Sequence, residues 1–162
     1  MSKLDLKEED RKVLVHARNY AEEKGRISAA LELSDGRIIC GKSSDLLSPA
    51  SATLLNALKA LANLPDVNLI SPSALEPIQT LKTTSLGDIT SDLRCNEALI
   101  ALSVSAAVNP MAALALDNLG KLRGCQMHLT AIPSHSDAKI LRRLGVQYTC
   151  DAVYSCKRVY FN

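Results

Sequence analysis

The chain has 162 residues, with 19 Lys and Arg against 17 Asp and Glu, for a formal net charge of +2. It is 47% apolar and 22% charged, the balance of an ordinary globular domain long enough to bury a core. The charges are interleaved and the aromatics are four Tyr and one Phe, so neither the basic stripe nor the stacking platform of a nucleic-acid binder is present.

The chain opens without an apolar run behind a basic start, so no secretory leader is expected. Asp5 with Glu8 three residues on makes an acidic capping box for a first helix. That helix runs to about Lys24, where Gly25 stops it, and its buried stripe is Val13, Ala17, Tyr20 and Ala21. Ile27, Ala29, Leu31 and Leu33 then alternate with Arg26, Ser28, Ala30 and Glu32, which is strand periodicity. Asp35-Gly36 is a strong hairpin signal and turns the chain into a second strand, Arg37–Gly41.

Gly36 to Ser43 also spell a complete G-x-x-x-x-G-K-[ST] phosphate-loop pattern. A phosphate loop needs flexible backbone whose amides converge on an anion, between a strand and a helix. Arg37, Ile38, Ile39 and Cys40 are strand formers following a hairpin turn, so the segment reads as strand, turn, strand and the match as accidental. ATP or GTP binding through Gly36–Ser43 is the third-ranked function.

A polar connection over 42–50 leads to a strong Ala/Leu helix from Ser51 to Ala62. Val67–Ile70 reads as a short buried strand, and Pro72 opens another helix at its first turn. Thr83 to Asp92 is the least structured stretch. Asn96–Val108 and Pro110–Leu122 form an apolar helical pair broken at Asn109-Pro110. Because Asn109-Pro110 and Asp117 interrupt Ala98–Leu119, that run reads as two buried helices and not as a membrane span. Gln126–Ile132 is strand-like, Ser134 caps a helix to Leu144 closed by Gly145, and Val146–Thr149 gives a last strand. Strands alternating with helices predict a single α/β domain over 1–162, a three-layer α/β/α sandwich on a mixed sheet.

Cys40, Cys95, Cys125, Cys150 and Cys156 show no zinc-ribbon or C-x-x-C spacing, so free thiols in a reducing cytoplasm are expected and no metal or other cofactor is. Cys125 and His128 stand at an odd spacing in a strand and face opposite sides, which favours a buried cysteine and a satisfied histidine over a nucleophile pair. His16 and His135 have no evident acidic or thiol partner. Asn56 reads as a structural hydrogen-bonding residue and Asn109 as a helix cap.

The strongest candidate site lies where helices open, because unpaired N–H groups and the positive dipole end attract anions there. Lys42, Ser43 and Ser44 precede the helix that begins near Ser51, and Ser71 and Ser73 flank Pro72 at the next. If the sheet gathers both openings, Lys42 and the hydroxyls surround a carboxylate or phosphate; otherwise the serines cap helices and support a turn.

From about Leu4 to Tyr154 the chain resembles the C-terminal part of the bacterial Domain of Unknown Function family 1846. The matching runs are Ser34–Ile39 leading into Gly41–Leu47, Leu54–Lys59, Leu69–Pro72, Glu76–Ile78, Glu97–Ser103 before Asn109-Pro110, Lys121–Cys125 before His128, and Leu141 with Leu144–Val146 near Thr149-Cys150. Gln126 departs from the Glu that members tend to carry. Members are much longer and have a glycine-rich, phosphate-loop-like run upstream, so the resemblance implies that nucleotide handling belongs to that upstream part, which a separate nucleotide-binding partner protein would supply. The element order is also similar to cytidine-deaminase-like folds. Their zinc donors would fall at Ser51-Ala52-Thr53 and Ser71-Pro72-Ser73-Ala74, which offer no His or Cys, so that chemistry is not implied.

The leading functional reading is a non-catalytic interaction or oligomerisation module, expected as a homo-oligomer, with a small anionic ligand at Lys42–Ser44 and the neighbouring helix openings; the Ala-rich helices of 98–119 pack tightly against the sheet or against another subunit. The alternative is a small-molecule enzyme with Lys42 as electrostatic stabiliser and Ser43, Ser44 or Ser51 handling the substrate. Neither nucleic acid nor membrane is an expected partner.

Overall fold

The computed structural model describes residues 3–44, 47–65, 69–70, 72–85 and 93–152. Four strands, β1 (Ser28–Glu32), β2 (Ile38–Lys42), β3 (Gln126–Leu129) and β4 (Gln147–Cys150), form one sheet in the order β2-β1-β3-β4. β1 runs antiparallel to both neighbours and β3 parallel to β4, so the sheet is mixed as expected.

One face lies under α1 (Lys3–Lys24), where Val13 and Ala17 pack on Ala30 with Ile38 and Cys40 around them. The other face carries the larger core under α2 (Pro49–Leu61), α4 (Cys95–Ala106), α5 (Pro110–Asp117) and α6 (His135–Leu144), with α3 (Pro72–Thr80) beside α4. Leu31, Leu54, Leu58, Leu102, Leu122, Met127, Leu129 and Leu141 fill it. Helices on both faces make three layers, and the two-sided burial explains why β1 has Ala29, Ala30 and Leu31 all fully covered.

The hairpin forms where Asp35-Gly36 stands. The Asp35 carboxylate accepts from the Arg37 N–H at 3.0 Å and from Arg37 Nε at 2.8 Å, and Gly36 takes the positive φ of 92° that the turn demands. Ile38 to Lys42 then lie in register with Glu32 to Ser28. Their amides are strung along an extended strand and do not converge on a point, which is what a phosphate cradle requires. Gly41, the second glycine of the phosphate-loop pattern, has a packing reason. A Cβ there would stand 2.5 Å from Thr53 Oγ1 and 2.8 Å from the Ala52 carbonyl carbon, because the first turn of α2 lies directly on the strand.

Three expectations are adjusted. Leu69 and Ile70 form a buried bend and belong to no ladder among the described residues; Val67 and Asn68 lie outside them. The helix opened by Pro110 stops at Asp117 and continues as a 3-10 turn, Leu119–Leu122, because Asn118 Nδ2 donates to the Leu114 carbonyl at 2.8 Å, offering that carbonyl a side-chain partner at the helix end. The start of the polar stretch after α3 is a π-helical turn, Leu81–Ser85, that carries the buried ion pair between Lys82 and Glu97 at 2.7 Å. The cap proposed from Asp5 and Glu8 lies outside the described side chains.

Candidate functional site

In an open α/β sheet the carboxyl ends of parallel strands, where the following helices begin, are the usual place for a ligand. Here the first turns of α2, α4 and α6 do meet. Ser48 caps α2, accepting from the Ser51 N–H at 3.3 Å, and the two hydroxyls lie 2.7 Å apart. Ser51 Oγ donates to the Leu93 carbonyl at 2.9 Å, and the Ser48 N–H donates to the same oxygen at 2.9 Å. Two residues on, the Cys95 N–H donates to Asp137 Oδ1 at 2.7 Å, while the Asp137 N–H is held by the Ser134 cap at 3.2 Å.

All four side chains, Ser48, Ser51, Cys95 and Asp137, are more than nine-tenths buried. Burial, then the Asp137 carboxylate, pushes the Cys95 thiol well above its ordinary range, so it is not a thiolate nucleophile. The meeting point is a closed seam that satisfies helix-start donors and joins three helices.

Lys42 is exposed at the end of β2. The Ser43 N–H goes to the Ile27 carbonyl at 2.7 Å, and Ser44 supports the next turn by accepting from the Leu47 N–H at 3.1 Å. Ser51 points into the seam and away from Lys42's solvent-facing position. Ser71 and the side chain of Ser73 lie outside the described residues. A groove of ≈ 640 Å³ lined by Ala21, Glu22, Gly25, Arg26, Ile27, Ser43 and Thr130 reaches Ser43 but neither Lys42 nor Ser51. It brings one acid and one base together, so it carries no net preference for an anion. Among the described residues no cluster of three or more His, Cys, Asp or Glu is placed to hold a metal.

Cys125 and His128 are both buried and point to different partners. Cys125 Sγ lies 3.6 Å from the Lys121 carbonyl, whereas His128 engages Thr149 and Asp151 on β4 and just beyond it. Asp151 also takes Arg18 of α1 bidentately, at 2.6 Å to Nη2 and 3.2 Å to Nε. Arg18, with a smaller contribution from His128, holds the Asp151 carboxyl below the ordinary carboxylate range. A depressed acid contributes stability that is complete above its unfolded pKa and lost as pH falls through the folded one. Arg18→Ala is therefore expected to melt below the parent at neutral pH. The two melting temperatures should converge as pH falls below the ordinary carboxylate range and Asp151 protonates, in a series of thermal melts.

The sequence profile described as "Domain of unknown function DUF1846, C-terminal" matches residues 9–160. The chain belongs to the DUF1846 family. Similar relatives include a UPF0371 protein of Clostridium botulinum (strain Eklund 17B / Type B), 47% identical over 171 residues, covering 100% of this chain and 34% of the relative. A UPF0371 protein of Clostridium tetani (strain Massachusetts / E88) is 45% identical with the same coverage. The chain thus spans about a third of the length of the curated relatives it matches. Neither the family description nor the relatives' names specify a reaction for a DUF1846 domain.

The surface of the domain has one marked feature. Ile100, Val104 and Val108 repeat every four residues along α4 and its end, and are 61%, 63% and 87% exposed. Met111 and Leu114 on α5, 40% and 51% exposed, extend the DUF1846 domain's apolar face across the helical pair. On the inner side of the pair, Ala98, Ala101, Leu102, Ala112 and Ala115 are covered by the core. No helix among the described residues is long and apolar enough to cross a membrane.

Proposed function

We propose that this chain is a non-catalytic association module that joins two copies of itself through the outer face of α4 and α5. The observation that carries the reading is the five exposed large apolar side chains on one helical pair, an arrangement that marks an interaction surface on a soluble domain.

Self-association fits the chemistry of the patch. In a twofold interface a surface meets its own image, so any charge near the axis faces a like charge. Between Ile100 and Leu114 the chain carries no charged residue at all. The exposed fractions of the five residues amount to about three whole side chains, which at ~1.5–3 kcal/mol each gives roughly 5–9 kcal/mol per protomer on full coverage. Two protomers double that to roughly 10–18 kcal/mol, of the same size as an association cost of about 4–15 kcal/mol. The described cysteines, Cys40, Cys95, Cys125 and Cys150, are free thiols, which supports a cytoplasmic setting.

Light scattering on the purified chain is expected to give twice the monomer mass at micromolar concentration. Val104→Glu places two carboxylates against each other and should yield a monomer with an unchanged melting temperature at high dilution. A wild-type monomer would overturn the reading. If that monomer also bound the separately expressed upstream region of a longer relative, the face would belong to that partner.

A further inference from the structure

The sheet face beneath α1 holds a cluster that association leaves unused. His128 on β3 stands opposite Thr149 on the parallel β4, and Asp151 follows two residues later on the same side. His128 Nδ1 lies 2.7 Å from Thr149 Oγ1, and Nε2 lies 3.1 Å from Asp151 Oδ1. Arg18 spans the carboxylate, with Nη2 on the same Oδ1 that His128 contacts and Nε on Oδ2.

These contacts assign the proton of the neutral imidazole. The Asp151 carboxylate, ion-paired with Arg18, can only accept, so Nε2 carries that proton. In this neutral form Nδ1 is the unprotonated nitrogen, and at 2.7 Å the Thr149 hydroxyl donates to it. The imidazole is 3% exposed, whereas Thr149 stands at the exposed edge of the sheet. An exposed threonine whose hydroxyl proton is held by a buried base, itself oriented by a carboxylate, is the arrangement that activates an oxygen nucleophile.

We propose that Thr149 is an acyl-acceptor hydroxyl that takes an acyl group from an activated ester or thioester. A bond forms between Thr149 Oγ1 and the donor's carbonyl carbon while the bond from that carbon to the leaving oxygen or sulfur breaks. The hydroxyl proton passes to His128 Nδ1 and then to the leaving group, so no further reactant is needed. Asp151 is a positioning residue: it keeps the proton on Nε2 and steadies the imidazolium formed in the step.

The test is incubation of the full chain with p-nitrophenyl acetate, following p-nitrophenolate release and locating the acetyl group by peptide mass spectrometry. Acetylation of Thr149 is expected at roughly tenfold or more the rate of other exposed Ser and Thr residues. Asp151→Ala removes the acceptor that holds the proton on Nε2. Labelling of Thr149 should then fall by about tenfold or more, with circular dichroism unchanged. Thr149→Ser should retain labelling at that position. Background labelling of Thr149 in the wild type overturns the proposal, as does equal labelling in a folded Asp151→Ala variant, because a purely structural network predicts both.

Discussion

Gly41→Ala is expected to destabilise the chain by about 3 kcal/mol, at the upper end of the range for overpacking a core. The glycine sits in ordinary extended backbone, so the cost is one of space and not of conformation. The added Cβ would meet Thr53 Oγ1 at 2.5 Å and the Ala52 carbonyl carbon at 2.8 Å. Thr53 cannot simply rotate away, because Oγ1 is donated to the Pro49 carbonyl at 2.8 Å within the first turn of α2. The helix would have to lift from the sheet, loosening Leu54 and Leu58 beneath it. A drop of roughly 6–12 °C in the melting temperature is the expected reading. The same melts with added Mg-ATP should show no shift in either protein. A mild Gly41→Ala with a nucleotide-dependent rise in the wild type would restore the phosphate-loop reading of Gly36–Ser43.

The second large effect concerns Asp137. Its carboxylate is buried and accepts the Cys95 N–H at 2.7 Å, closing the start of α4 from the first turn of α6. Asp137→Ala leaves a buried donor without a partner and opens a small void, which together should cost about 3 kcal/mol. Asp137→Asn keeps an acceptor oxygen in place and loses only the charge that favours two helix starts. A cost of about 1 kcal/mol is expected for it. Urea denaturation separates the two: the midpoint should fall about three times further for alanine than for asparagine, at equal slope. Equal losses for both variants would mean that the charge, and not the acceptor, holds the seam.

Features that depend on neighbouring residues were legible before the structure. Asp35-Gly36 turns the hairpin, Ser134 and Gly145 bound α6, and Asn109 caps α5 by accepting from the Met111 N–H at 3.0 Å. Asn56, expected to make a structural hydrogen bond, donates to the Cys40 carbonyl at 3.0 Å and ties α2 to β2. What stayed hidden depends on strand order. Cys95 and Asp137 are 42 residues apart, and His128 and Asp151 are 23. The only local trace of the second pair was Thr149 and Asp151 at i and i+2, which places both on one face but does not say what faces them. The α4 ridge was illegible for a different reason. A helix apolar on every side reads as buried, and its pattern does not tell which side the rest of the chain leaves open.

The middle position of β1 bears on how the polypeptide is made. Its hairpin partner β2 emerges at once, but its other flank pairs with β3, and the Ser28–Thr130 contact spans 102 residues. A nascent chain on the ribosome therefore exposes an apolar, unpaired margin at Ala29–Leu31 until Gln126–Leu129 has emerged. Release factors acting before Gln126 would leave a product with that margin permanently bare, ready to pair with another such product.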